Sequence, residues 1–368
     1  MPTDPVGVAV VGCGMISDEY LRNLTSFPDL RVLFCADLVL ERAKAQAARY
    51  GVPEVGSTDQ ATAHPDVELV VNLTVPAAHA EVALQAVAAG KNVWNEKPLT
   101  LDTVAGRGLL AAAARAGVRV GCAPDTVLGA GLQTARRLIA SGAIGEPHSA
   151  LTLMQEPGPE RWHHDPEFLF RRGAGPLFDI GPYYLSMLAT LFGPAVQVAA
   201  LGRRGQPSRV IGSGPRAGTR FEVEVPTHVA ALIGYARGPA ATLVLSFDSP
   251  LRRHGFVEIT GTEATLSLPD PNRFDGEIRV RPTGRDDWET IPATGATAGR
   301  GLGVADMARS IRAGTAHRAS GELALHVLDT MEAVARSITE GTFERVLATF
   351  DTPDALPADW DPCVATID

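Results

Sequence analysis

VGVAVVGCGMISDEYL, residues 6–21, places an apolar run of strand-forming residues, a turn with two glycines and a helix start in direct succession. A strand, a glycine-rich turn and a helix in this order are the fingerprint of a dinucleotide-binding unit; glycines without that context would indicate only a tight turn. Gly12 permits the turn, and Gly14 lets the backbone approach a pyrophosphate. Ser17 stands where the fingerprint has its third glycine, so the match is incomplete.

Two more features near this turn fit a dinucleotide. Met15 and Ile16 begin the helix, whose first N–H groups can bind an anion. Asp37 ends the next apolar run, about 20 residues after Ser17, where a carboxylate accepts hydrogen bonds from the adenine ribose. It would repel a 2′-phosphate, and the residues at 38–40 include no arginine to hold one. NAD is therefore favoured over NADP; the alternative for Asp37 is an N-cap of the following helix.

Outward from this stretch, short apolar runs alternate with helical segments as far as Pro124. Continuous apolar strands that alternate with helices indicate a parallel sheet. Beyond that point the pattern favours hairpins, as in HVAALIGYARGPAATLVLSF, residues 228–247. We therefore predict an α/β protein, with a doubly wound dinucleotide-binding domain at 1–124 and an α+β domain at 125–368 built on a large, mainly antiparallel sheet. A second domain is also expected because single cores stop growing at about 250–300 residues.

Charge and composition exclude several classes of protein. The formal net charge of -9 argues against a nucleic-acid or anionic-membrane partner, because both need clustered Lys and Arg. No apolar run approaches the ~20 residues that span a bilayer, and the first residues lack the basic region of a secretory signal. Four widely spaced cysteines without CxxC spacing fit a reducing cytoplasm and no zinc site.

The carboxyl ends of the predicted parallel strands carry the candidate chemistry, because ligands of an open α/β sheet bind there. Thr74 to His79, Glu96 with Lys97, and Asp125 each follow an apolar run. Pro98 restricts Lys97 to an extended backbone, which limits where its side chain can point. The predicted cofactor-binding residues are Gly12, Gly14, Met15, Ile16, Asp37, Thr74, Pro76, His79, Glu96 and Lys97.

Five motifs in order resemble the Gfo/Idh/MocA family, named for glucose-fructose oxidoreductase, inositol dehydrogenase and a rhizopine catabolism protein. They are GCGMIS at 12–17, EKP at 96–98, SGAIGEP at 141–147, GPLFDIGPYYLSML at 175–188 and ITGTEATLSL at 259–268. The resemblance implies a Rossmann domain joined to an open-faced antiparallel sheet, which commonly packs against a partner subunit. It also implies hydride transfer between a nicotinamide and a carbinol or carbonyl carbon of a sugar, polyol or related molecule.

Carried over by position, the resemblance makes Lys97 the residue that hydrogen-bonds the reacting oxygen, and Asp179 and Tyr183 the acid/base pair. The tyrosine form of this motif is similar to the glucose-fructose oxidoreductase, xylose dehydrogenase and dihydrodiol dehydrogenase branch. The chemistry supports these roles, since a tyrosine is a poor base near neutral pH unless a neighbouring cation stabilises its phenolate. Asp179, four residues before Tyr183, lies on the same face if the segment is helical.

Other parts of the site remain open from sequence alone. Candidate substrate contacts are Asp125, Trp162, His163, Arg171 and Tyr184, although solvent-facing positions fit the loop residues equally well. His163 lacks carboxylate or cysteine neighbours at ligand spacing, so no metal is expected. A homo-dimer or homo-tetramer through the second sheet is expected. Two alternatives to a dehydrogenase remain: a redox-neutral enzyme that holds NAD tightly, such as a glycosidase or lyase, and a non-catalytic NAD or sugar sensor.

Overall fold

The computed structural model describes residues 4–367, and its first part alternates strands with helices as the sequence predicts. The elements in chain order are β1 (Val6–Val11), α1 (Ser17–Leu24), β2 (Leu30–Ala36), α2 (Leu40–Tyr50), β3 (Glu54–Gly56), α3 (Thr58–Ala63), β4 (Leu69–Asn72), α4 (His79–Ala88), β5 (Asn92–Asn95), α5 (Thr103–Ala116), β6 (Val120–Cys122) and α6 (Ala130–Ala140).

These six strands form one parallel sheet in the order β3-β2-β1-β4-β5-β6. Every residue of β1 and β4 is buried, which explains why these strands read as continuous apolar runs. The order reverses between β1 and β4, and the crevice outside their carboxyl ends is where such sheets bind ligands. The predicted Rossmann fold is confirmed.

The remaining elements are dominated by strands. They are β7 (Pro147–Gln155), α7 (Gly175–Asp179), α8 (Gly181–Phe192), β8 (Ala195–Arg203), β9 (Ser208–Val210), β10 (Arg220–Glu222), β11 (His228–Tyr235), β12 (Ala240–Ser246), β13 (Arg253–Gly261), β14 (Ala264–Leu268), β15 (Ile278–Pro282), β16 (Glu289–Ile291), α9 (Leu302–Ala313), α10 (Gly321–Glu340) and β17 (Glu344–Arg345).

Nine of these strands form a second sheet in the order β16-β15-β14-β13-β7-β12-β11-β8-β17. All its neighbours are antiparallel except β7 and β12, so the predicted mainly antiparallel sheet is confirmed. The central strands alternate between the two faces: in β11, Val229, Ala231 and Ile233 are buried, whereas Leu232 is exposed. One face therefore belongs to the core, and the other is open.

The chain divides into two compact units that do not follow a single boundary at 124. The first comprises the residues up to Gln133 with 294–328 and 353 onward; the second comprises 134–293 and 329–352. Contacts within the first unit explain why residues 294–328 belong to it. Ser320 pairs with Gly121 beside β6, and the backbone of α9 at Gly303 packs on the buried ring of Trp94, where a Cβ would collide.

Local signals define both ends of α5. Asp102 is the N-cap, and its carboxylate accepts the Ala105 N–H at 2.8 Å. The Thr100 hydroxyl donates to the Asp102 carbonyl oxygen at 2.7 Å. Gly117 ends the helix with a left-handed φ of 68°. Within residues 4–367, none of the helices has the length and apolar character that crossing a bilayer requires.

Candidate active site

The glycine turn after β1 is shaped by close backbone contact. Gly12 has φ +95°, and a Cβ there would lie 2.7 Å from the Leu73 carbonyl carbon, so only glycine fits. A Cβ on Gly14 would meet nothing within 4 Å, which leaves open space beside the turn for a phosphate group. Ser17 replaces the third glycine of the fingerprint, and its hydroxyl donates to the Gly14 carbonyl oxygen at 2.6 Å. The incomplete motif therefore still forms the turn.

Asp37 faces this turn from the carboxyl end of β2. One carboxylate oxygen accepts the Cys13 N–H at 2.8 Å, and the other accepts the Val39 N–H at 2.7 Å. The N-cap of α2 is Val39, so Asp37 does not cap that helix. A carboxylate has about four lone-pair sites, and two remain for ribose hydroxyls. Two backbone bonds thus hold the carboxylate after β2, and its predicted contact with a ribose stays a prediction.

Exposed apolar side chains follow three of the parallel strands at the same edge. Met15 is 87% exposed after β1, Leu38 is fully exposed after β2, and Val75 is 67% exposed after β4. Large apolar residues at a sheet edge indicate a ligand surface when several occur together. We predicted Met15 as a cofactor contact but missed Leu38 and Val75, whose signal is an apolar residue in a turn directly after a strand.

Buried amides and an imidazole hold the turns after β4 and β5. Asn72 donates from Nδ2 to Asn95 Oδ1 at 2.9 Å, and its own Oδ1 accepts the Thr74 hydroxyl at 2.6 Å. His79 is completely buried; its Nδ1 lies 2.6 Å from the Pro98 carbonyl oxygen and its Nε2 lies 2.9 Å from that of Thr74. Burial lowers the pKa of His79. Its side chain links two turns, and the predicted cofactor contact stays a prediction.

Glu96 and Lys97 follow β5. The Glu96 side chain points inward, where one oxygen accepts the Tyr20 hydroxyl at 2.8 Å and the other accepts the Lys97 N–H at 2.9 Å. Lys97 is half-buried, as is Pro98, and Pro76 is exposed in the turn after β4. Lys97 thus belongs to the same edge as the glycine turn and Asp37.

Asp125 follows β6 but is fully buried. Its Oδ2 accepts the N–H groups of Gly301 at 2.8 Å and Gly303 at 3.1 Å, at the start of α9. Burial raises the pKa of Asp125 to about 6, against the opposing charge of Arg300. One oxygen of this carboxyl group thus serves the backbone at the start of α9, and the predicted substrate contact stays a prediction.

The second unit carries the other predicted catalytic residues. Asp179 is the last residue of α7 and Tyr183 lies in the first turn of α8, with Ile180 between the two helices. The two residues therefore lie on two consecutive helices and not on one continuous helix. Tyr183 is buried. Tyr184 is buried too, and its hydroxyl oxygen accepts the Gly255 N–H at 3.0 Å. This bond links α8 to β13, and the predicted substrate contact of Tyr184 stays a prediction.

The remaining predicted substrate contacts lie on the irregular segment between β7 and α7. Trp162 is 58% exposed, and its ring meets His163 edge-on at 5.6 Å between centroids. Arg171 is exposed and lies 3.8 Å from Glu167. Surface exposure fits a pocket wall or a solvated loop equally, so these three residues stay predictions.

Sequence reasoning missed one pair in the second unit. Glu156 Oε2 lies 3.5 Å from His254 Nε2, although the two residues are far apart in the chain. Burial raises the pKa of Glu156, and the Asp179 charge raises it further while His254 opposes the shift. Glu156 therefore has a second carboxylate, Asp179, and an imidazole, His254, in its surroundings. No sequence pattern links these positions, since only the pairing of β7 with β13 brings them together.

Across residues 4–367, no group of three or more His, Cys, Asp or Glu side chains is arranged to hold a metal ion.

Comparison with known proteins agrees with this geometry. The model of the oxidoreductase family with an NAD-binding Rossmann fold matches residues 6–123, and that of the GFO/IDH/MocA C-terminal domain matches residues 132–267. Together they cover more than two thirds of the chain. The chain belongs to the Gfo/Idh/MocA family. It is an oxidoreductase, as the sequence motifs predicted.

Individual Gfo/Idh/MocA relatives span most of the chain. The trans-1,2-dihydrobenzene-1,2-diol dehydrogenase of Bos taurus is 25% identical over 308 residues, which cover 82% of this chain and 86% of that protein. The 1,5-anhydro-D-fructose reductase of Ensifer adhaerens is 27% identical over 264 residues, covering 70% and 74%. The solved structure of levoglucosan dehydrogenase with NADH has a TM-score of 0.81 at 22% identity, covering 94% of this chain and 100% of that one.

Proposed function

We propose that the protein is an NAD-dependent dehydrogenase or reductase that acts on a carbinol or carbonyl carbon of a sugar, polyol or related small molecule. The observation that supports this proposal is the position of Lys97, at the same sheet edge as the glycine turn and the Asp37 carboxylate. The named activities of the relatives, on a diol and on an anhydro-sugar, agree with this substrate class.

The cofactor proposal rests on Asp37 and its surroundings. Its carboxylate would accept the adenine ribose hydroxyls, and Gly12 and Gly14 would admit the pyrophosphate. The exposed Leu38 beside it offers no charge to a 2′-phosphate, and Asp37 would repel one. NAD is therefore the preferred cofactor. When bound, it supplies hydride chemistry at C4 of the nicotinamide.

The protein side chains supply the proton chemistry and the charge stabilisation. Lys97 would donate a hydrogen bond to the reacting oxygen and stabilise the negative charge that develops on it. Tyr183 would move the proton of that oxygen, and the Lys97 cation would stabilise its phenolate. Asp179 would orient the substrate, and Glu156 with its partner His254 would contact further hydroxyl groups.

The open face of the second sheet supports a homo-oligomer. Five side chains from neighbouring strands lie side by side there: Leu201, Ala230, Val244, Leu153 and Phe256. The next row along the strands contains the exposed Leu232 and Leu151, joined through Thr242. A contiguous apolar surface of this kind favours burial against a second copy. We propose a dimer or tetramer through this face.

A reducing, cytoplasmic location also belongs to the proposal. Cys13, Cys35 and Cys122 are free and buried, and Cys363 is free and exposed. Thiols that persist without disulfides are typical of cytoplasmic proteins.

The experiment that tests the function is nicotinamide absorbance in both directions with aldoses, polyols, inositols and small dicarbonyls. Wild-type protein is expected to turn over a member of this panel with NAD or NADH. Lys97→Ala should lower kcat by about 100-fold or more, because it removes a charge that stabilises the transition state. NADH affinity should change little. The matched control is Lys44→Ala, an exposed lysine on α2. Near-normal turnover by Lys97→Ala would remove this residue from the mechanism.

A further inference from the structure

A buried hydrogen-bond chain in the first unit ends at Lys97. The Trp94 indole N–H donates to the Tyr20 hydroxyl oxygen at 3.3 Å, and Tyr20 donates its own proton to Glu96 Oε1 at 2.8 Å. Tyr20 and Trp94 are completely buried, and Glu96 is 8% exposed. An indole can only donate and a carboxylate can only accept, so the direction of the chain is fixed.

We propose that Tyr20 and Glu96 are positioning residues for Lys97 and tether it to the helix that follows the glycine turn. The inference rests on the catalytic role proposed for Lys97. Neither Tyr20 nor Glu96 is open to a ligand, so both act through the lysine.

Four bonds define the position of Glu96 and hence of the next residue. The carboxylate accepts the Lys97 N–H at 2.9 Å as well as the Tyr20 hydroxyl. The Glu96 N–H donates to the Asn72 carbonyl oxygen at 2.9 Å, and its own carbonyl oxygen accepts the Cys122 thiol at 3.6 Å. Of these groups, the Tyr20 hydroxyl alone comes from outside the strand ends. It fixes the carboxylate that in turn fixes the Lys97 backbone.

Tyr20 connects this carboxylate to the cofactor turn. It lies one helical turn after Ser17, whose N–H and hydroxyl both donate to the Gly14 carbonyl oxygen. The Tyr20 N–H donates to the Ile16 carbonyl oxygen at 3.3 Å. Burial and the nearby charges of Glu96 and Asp125 raise the pKa of Tyr20, so it remains a donor.

The helix offers a matched control. Tyr50 also donates its hydroxyl to a carboxylate on α1, Asp18 Oδ1 at 2.7 Å, but on the side away from β5. Tyr20→Phe and Tyr50→Phe each remove one tyrosine–carboxylate bond and keep the ring. Steady-state kinetics, NADH binding by fluorescence and urea unfolding would be measured for both.

Tyr20→Phe is expected to lower kcat by about 10- to 100-fold, since a misplacement of about 1 Å can cost about 100-fold. Its NADH dissociation constant should stay at the wild-type value, and Tyr50→Phe should keep the wild-type kcat. Glu96→Gln retains one carbonyl oxygen and should fall between wild type and Glu96→Ala. A wild-type kcat for Tyr20→Phe, or equal losses in the two tyrosine variants, would overturn the proposal, because a purely structural role changes stability alone.

A second readout needs no substrate and separates this inference from the proposed reaction. The rate at which acetic anhydride acetylates Lys97 would be followed by mass spectrometry in cofactor-free protein. A released lysine reacts faster, so Tyr20→Phe should raise the rate and Tyr50→Phe should leave it unchanged. If the wild-type protein shows no turnover but Tyr20→Phe still raises the acetylation rate of Lys97, the proposed reaction is refuted and the tether is supported. Identical rates in all three proteins would refute the tether.

Discussion

Asp37→Asn tests the choice of cofactor with the smallest possible change. The side chain keeps its shape, but its charge and one of its two acceptor oxygens are lost. In the wild-type protein these oxygens accept the N–H groups of Cys13 and Val39 at 2.8 and 2.7 Å. One of the two N–H groups would then face an amide NH2 group, so the variant should also unfold at lower urea concentration.

The effect on cofactor preference has two parts. A hydrogen bond to a charged group contributes about 1.5–3 kcal/mol, so loss of the carboxylate should weaken NADH binding by that amount. A 2′-phosphate about 5 Å from a carboxylate is repelled by about 3 kcal/mol per pair of unit charges at an effective dielectric constant of about 20. In Asp37→Asn this repulsion is absent, so the variant should bind NADPH more strongly by about that amount. Together they should shift the ratio of the two dissociation constants by at least about 100-fold towards NADPH.

The assay is titration of cofactor fluorescence with NADH and NADPH at one fixed ionic strength, because salt screens the repulsion. Asp66→Asn is the control: it removes the same charge at an exposed position before β4, away from the carboxyl ends of the strands. An unchanged preference in Asp37→Asn would show that another residue selects the cofactor. Equal shifts in both variants would assign the effect to net charge and not to the ribose site.

Two further predictions concern stability and assembly. Burial raises the pKa of Asp125 to about 6, whereas the pKa of an unfolded Asp is near 3.9. The folded protein therefore binds this proton more tightly than the unfolded chain. The contribution of Asp125 to the free energy of unfolding should rise as pH falls from about 6 to about 4. Asp125→Asn, followed by urea unfolding across that range, should remove this component; an unaltered pH dependence would contradict it. Leu232→Glu on the open sheet face should shift the mass measured by light scattering towards the 38.8 kDa monomer, whereas Leu251→Glu, at an exposed leucine outside the sheet, should not.

The sequence predicted the fold well because hydrophobic periodicity and glycine turns are local signals. Continuous apolar runs gave the parallel strands, and the Gly238-Pro239 turn gave the hairpin of β11 and β12. The division into units was less accessible, because the return of 294–328 to the first unit depends on distant contacts such as Gly303 on Trp94. The pairing of Glu156 with His254 was inaccessible for the same reason.

Three of the predicted site residues have protein partners of one kind. His79 bonds two turns, Asp125 bonds the start of α9, and Tyr184 bonds the irregular part of β13, in each case through backbone groups. Turns lack the regular backbone pairing of strands, so their buried polar groups need side-chain partners. A polar residue after a strand therefore has two possible tasks, to bind a ligand or to satisfy a turn, and sequence position does not distinguish them.

Asp37 shows that the two tasks can coincide. Its carboxylate satisfies two backbone N–H groups and still has lone pairs for a ribose, because it is only half-buried. Glu96 differs, since both of its oxygens serve protein donors and its side chain is almost completely enclosed. For these two carboxylates, the half-buried Asp37 keeps acceptor sites for a ligand, whereas the enclosed Glu96 supports its neighbours. Substitution of an enclosed supporting residue such as Glu96 should lower the stability of the protein. Substitution of Glu96 should also lower kcat, because Lys97 is its neighbour.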